Sequence, residues 1–252
     1  MLVTTKLLDD LLGKYVTPVL TRSGFRRSHR RFLLGQAPGN LVLVQFRRHQ
    51  LPNEVAFFFE WSVIPAAECD FQNRGQGRPS QPSTTWGIIS NRVRVPIEIA
   101  PTVDIEAISQ GMHISDEIAA RMRSSTSSTW AFPVEEGIDR FGAAIEGLLT
   151  TGGLIAQWQA MTDREYVLEL FEQGQARSTL AVSASVGWPQ RYVAMYIDDG
   201  DWNILEAMLR TCEAEIFGGA WTEWWRKRLT ARRADSGGHH PPRSKVVDDL
   251  PG

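Results

Sequence analysis

Apolar positions recur at helical spacing near the start of the chain. Leu7, Leu8, Leu11, Leu12 and Tyr15 line one side, with Lys6, Asp9, Asp10 and Lys14 on the other. The spacing predicts an amphipathic helix. Thr17 ahead of Pro18 predicts a cap and a fresh helix start, and Gly24 a left-handed stop. The period then drops to two. Phe25 to Leu34, Leu41 to Arg48 and Glu54 to Ile64 read as three strands, and their short connections favour antiparallel pairing. On the third, Val55, Phe57, Phe59, Trp61 and Val63 make a core face. Glu54, Ala56, Phe58, Glu60 and Ser62 make a half-polar one. Arg92 to Ala100 alternates too, with Pro96 limiting it to an edge or a bulge.

Asn73 to Thr85 is a Gly/Pro/Ser/Gln loop without periodicity. Ser115 heads a short helix to about Arg123, Ser128 to Phe132 runs extended, and a helix follows over Val134 to Leu149. Beyond Gly152-Gly153 the pattern turns helical. Thr162 with Glu165, and Asn203 with Glu206, have capping-box spacing, and Trp221, Trp224, Trp225 and Leu229 stripe a last helix. At helical spacing these tryptophans read as core rather than as an exposed patch. The prediction is an α+β chain with an antiparallel sheet of four to five strands and helices on one face. A sheet domain spans 1–150, a helical portion 151–233 and a disordered tail 234–252.

A chain of 252 residues with 42% hydrophobic content has ample material for a core. The formal net charge of -2 argues against a nucleic-acid coat or a polybasic membrane binder. Its distribution says more. Residues 1–50 carry a balance of +7, residues 51–220 of -12, and the remainder +3. Cys69 and Cys212 stand far apart and outside any paired motif, which predicts free thiols in a reducing cytoplasm. No apolar run approaches a membrane span, and Asp9 and Asp10 argue against a secretory leader. Arg outnumbers Lys 23 to 4, a usage suggestive of a bacterial gene rich in G and C.

Catalytic signatures are missing. His29, His49, His113, His239 and His240 form no metal-ligand spacing with one another or with cysteine, so no resident metal or cofactor is expected. Neither cysteine nor any serine sits in a nucleophile motif, and Gly75 with Gly77 lacks the third glycine and helix of a phosphate cradle. The acidic pairs Asp116-Glu117, Glu135-Glu136 and Asp198-Asp199 fit helix starts and turns. The distinctive feature is basic and aromatic. Arg27 and Arg31 on the first strand, and Gln45, Arg47 and Arg48 on the second, are the candidate binding residues. Three uses remain open for them: internal pairing with Glu54 and Glu60, an acidic protein partner, or nucleic acid.

Five segments carry a family resemblance: Leu20 to Arg27, Leu41 to Arg48, Phe57 to Ile64, Ser128 to Phe132 and Leu148 to Trp158. Together they resemble a bacterial family filed as domain of unknown function 4304. The resemblance implies an α+β fold, no assigned activity and a loose association with toxin-immunity and other conflict-system proteins. The expectation is therefore a non-enzymatic cytoplasmic protein that binds an acidic partner, with nucleic-acid binding or processing as the alternative. Oligomeric state is left open.

Overall fold

The computed structural model describes residues 2–35, 39–51, 54–74, 81–96, 99, 128–172, 188–214 and 219–235. The leading helix, α1, covers Leu2–Leu11. It does not restart at Thr17. A π-turn over Leu12–Val16 leads directly into α2, Thr17–Arg22. The Thr17 amide donates to the carbonyl of Leu12, and its hydroxyl reaches the same oxygen at 2.8 Å. This wide turn accommodates Pro18, which has no amide proton to give to a regular ladder. Thr17 is thus a bonded link inside the helix rather than a cap. The stop falls where expected: Gly24 has φ 91°, and the Phe25 amide closes back onto Leu20 at 3.0 Å.

The basic segment expected as one strand is a hairpin. β1 (Arg26–Ser28) and β2 (Arg31–Leu34) pair antiparallel through a two-residue turn, with Arg27 opposite Phe32 and Ser28 opposite Arg31. His29 takes the positive φ, 54°, that the tight turn requires. β3 (Leu41–Leu51) and β4 (Glu54–Ile64) are long, and β5 is Ile89–Arg92. The sheet order is β1-β2-β3-β4-β5, and β6 (Thr129–Pro133) also pairs antiparallel with β4. The fold is α+β, with six strands among the described residues.

The strand expected over Arg92 to Ala100 is displaced. β5 ends at Arg92, and Val93 to Pro96 has no regular structure, although the Val93 amide still bonds Phe59 at 2.7 Å. Ile97, Glu98 and Ala100, the glycines of the Gly75–Gly77 loop and the helix expected near Ser115 lie outside the described residues. Downstream, α3 covers Ala66–Gln72, which periodicity does not reveal. The others are α4 (Asp139–Thr150), α5 (Leu154–Ala160), α6 (Arg164–Glu172), α7 (Trp188–Tyr196), α8 (Trp202–Ala214) and α9 (Ala220–Asp235). Gly137, at φ 77°, parts a 3-10 turn from α4 where one helix was expected. Both capping boxes give way to aspartates. Asp163 caps the Glu165 amide, and Asp201 takes those of Asn203 and Ile204. Ala234 and Asp235 close α9 rather than opening a tail.

Two compact units result. The first takes residues 1–34, 44–61 and 92–158, and the second residues 35–43, 62–91 and 159–252. In the first, Phe46 stacks on Phe59, and the Trp158 ring meets Phe25, Phe59 and Trp61. Phe132 stacks on Phe141 of α4. In the second, Phe71 of α3 meets Trp221, Trp224 and Trp225 of α9, with Trp225 and Leu229 fully buried. The stripe is core at Trp225 and Leu229, while Trp221 and Trp224 are half-buried at its margin.

Gly142 shows how tightly the first unit packs. A Cβ there would stand 2.1 Å from the Tyr15 ring, whose hydroxyl bonds Asp139 at 2.7 Å. Gly142→Ala must therefore push Tyr15 aside, and chemical denaturation is expected to show a loss of about 1–3 kcal/mol.

Candidate binding face

Alternation along β3 sends neighbouring residues to opposite faces. Val42, Val44 and Phe46 are buried in the core, and Arg48 shares their side, donating to the Thr4 hydroxyl at 2.9 Å. Gln45, Arg47 and His49 occupy the other side. There, β4 presents Phe58 and Glu60.

Glu60 is the centre of this face. Its side chain is 10% exposed, and Arg47 grips it as a fork, Nη2 to Oε1 at 2.8 Å and Nε to Oε2 at 3.1 Å. From β5, Arg92 donates Nε to the same Oε1 at 3.0 Å. Both guanidiniums lie over the Phe58 ring, 4.7 Å and 4.1 Å from its centroid, and His49 lies 5.1 Å from it. Cations over an aromatic face gain from its quadrupole. Burial pushes the Glu60 carboxyl up, but the hydrogen bonds and charges of Arg47, then Arg92, outweigh it and hold the group below its usual range. Two cations share this anion, and both arginine side chains remain nearly half exposed.

The candidate residues therefore separate. Gln45 and Arg47 share the outer face, and Arg48 turns to the core side. Arg27 and Arg31 fall on opposite sides of the β1–β2 hairpin, because Arg27 pairs across from Phe32 and Arg31 from Ser28. The Arg27 guanidinium donates to the His29 carbonyl and lies 5.9 Å from the Phe32 ring. Arg30 forks onto Asp9 at 2.7 and 2.9 Å. Internal pairing with Glu60, one of the three open uses, is present for Arg47. Arg92 and the Phe58 platform were missed. Phe58 shares Glu60's side in the β4 alternation, so that half of the signal was readable, but Arg92 had been placed at the start of a strand rather than at its end.

A second buried carboxyl needs weighing. Glu68 on α3 is 7% exposed, accepts from Gln72 Nε2 at 2.7 Å and bonds the Trp221 indole. Burial pushes it up to about 7, against the opposing hydrogen bonds of Gln72 and Trp221 and the Arg74 charge. The groove of about 720 Å³ along α9 runs past Thr222, Arg226 and Thr230 and does not include Glu68. This carboxyl is packed against Gln72 of its own helix and Trp221 of α9. Cys69 is half-buried, and burial pushes its thiol up to about 12, the state of an inert thiol. Among the described residues, no group of histidine, cysteine and carboxylates could hold a metal ion, and no helix is long and apolar enough to cross a membrane.

No family model, curated protein or solved structure matches this chain.

Glu68 has a measurable consequence. A carboxyl whose folded pKa is raised from 4.5 to about 7 contributes most below the lower value, and that contribution is lost as pH rises through the higher one. Thermal unfolding of the unit holding α3 and α9 is expected at lower temperature at pH 8 than at pH 5. The change is worth ~3 kcal/mol, and Glu68→Gln should flatten the dependence.

Proposed function

We propose that this protein is a non-enzymatic binding protein whose outer sheet face receives an acidic protein partner. The observation that carries the reading is the pair of guanidiniums held over Phe58 by one shared carboxylate. Glu60 holds Arg47 and Arg92 in fixed positions, so little side-chain freedom remains to be lost when an anion arrives. Its single charge does not neutralise both. Guanidiniums that stay nearly half exposed suit carboxylates, which they can meet as planar forks. His49 beside the same ring adds a donor.

Nucleic acid is the second reading, and Phe58 favours it in one respect. A ring flanked by guanidiniums is a surface on which a base can stack. Here both arginines already cover that ring. A base would have to displace them, whereas a carboxylate would not. That difference favours the acidic protein.

The test compares poly-L-glutamate with a mixed-sequence single-stranded DNA, by fluorescence anisotropy at about 50 mM salt. Poly-L-glutamate is expected to bind the more tightly. The variant Arg47→Gln/Glu60→Gln/Arg92→Gln removes the cluster without stranding a buried carboxylate, and should weaken binding about tenfold, or ~1.4 kcal/mol. Binding of DNA in preference would move the reading to nucleic acid. Binding of neither polymer would overturn both.

A further inference from the structure

Among the described residues, the outer half of β3 has an open edge. β3 has eleven residues, and β2, its neighbour on one side, has four. The Phe46 amide donates to the Arg30 carbonyl at 3.0 Å, in the turn that precedes β2. β2 therefore pairs with the part of β3 before Phe46. Among the described residues, no strand flanks Arg47 to Leu51 on that side.

Backbone direction alternates along a strand, so the Phe46 bond sets the rest. The amides and carbonyls of Arg48 and Gln50 face the same way as that of Phe46, toward the open edge. Those of Arg47, His49 and Leu51 face β4. Side chains along this stretch are exposed or half-buried, and Leu51 is 37% exposed. Each face of the edge thus carries a cation: Arg47, with Leu51 further along the same side, on one, and Arg48 on the other.

We infer that an extended segment of the partner adds to the sheet along Arg47 to Leu51, and that this segment carries acidic side chains on both of its faces. Main-chain bonds to Arg48 and Gln50 supply the pairing, and the cations on both faces select acidic residues. Charge complementarity chooses this occupant over a second copy of the chain, because the same stretch of a second copy brings two arginines and no carboxylate to meet Arg47 and Arg48. The inference rests on the acidic-partner reading and adds the shape in which the partner binds.

The probe is a fluorescein-labelled peptide of repeating Glu-Glu-Val-Val, about seven residues long, which places glutamates on both faces of a strand, with a counterpart N-methylated at every second amide. N-methylation preserves charge and removes one row of strand donors. The unmodified peptide is expected to bind, and the N-methylated one about tenfold more weakly. Gln50→Pro removes an edge donor while leaving the β4 ladder intact, and should weaken the unmodified peptide to a similar degree. Hydrogen exchange on the unaltered protein should slow at the amides of Arg48 and Gln50 when the peptide is added. Equal binding of the two peptides would overturn strand addition and leave the acidic-partner reading standing. So would unchanged exchange at those two amides. Binding of poly-L-glutamate with no binding of either peptide would do the same. Sedimentation as a dimer that Gln50→Pro dissociates would assign the edge to a second copy and overturn the inference.

Discussion

A carboxylate set into a sheet face with little access to water must be neutralised where it stands, and Glu60 meets that constraint with two arginines from the strands on either side of its own. Much of the outer face follows from this. Arg47 and Arg92 cannot spread into solvent while they hold Glu60, so both lie across the intervening Phe58 ring. The same strand carries Phe57, Phe59 and Trp61 on its reverse side, deep in the core. One run of β4 thus anchors the packing of the first unit and fixes the positions of the charges on its surface.

Charge segregation along the chain resolves within each unit in a different way. In the second, the basic residues of α9 are consumed locally. Arg228 spans Asp70 and Asp198, Arg226 pairs with Glu213, Lys227 with Glu223, and Arg232 donates to the carbonyls of Ile197 and Gly200. These contacts replace the simple helix-end role that the basic run suggests. In the first, Lys14 and Arg30 are matched by Asp139 and Asp9, and Glu60 is shared. Arg47 and Arg92 therefore stay at the outer sheet surface, nearly half exposed, over the carboxylate they share.

How much of this was legible in the sequence depends on how local the cause is. The faces of β3 and β4, the Gly24 stop and the tryptophan core follow from period and residue type, and each is present. Elements set by one special residue were misread. A two-residue turn at His29 and Arg30 carries no glycine or asparagine to announce it, so a hairpin read as one strand. Pro18 read as a break because a π-turn leaves no compositional mark. At the helix starts, Asp163 and Asp201 supplied acceptors closer to the free amides than the residues with box spacing. The candidate site was half legible. Arg47 and its Glu60 partner lie on adjacent strands and were foreseen, but Arg92 joins them across 32 residues of chain, and only the folded sheet brings it there.

The ionisation of Glu60 is the most direct measure of whether two arginines hold it. Carbon-detected NMR titration of its side-chain carboxyl, in the wild type and in Arg47→Gln and Arg92→Gln, reads that balance at one atom. The carboxyl should titrate below its usual value of 4.5 in the wild type and rise in both variants, further in Arg47→Gln, whose guanidinium contributes more. A wild-type titration at or above 4.5, unmoved by either substitution, would contradict the shared clamp and the basic platform built on it.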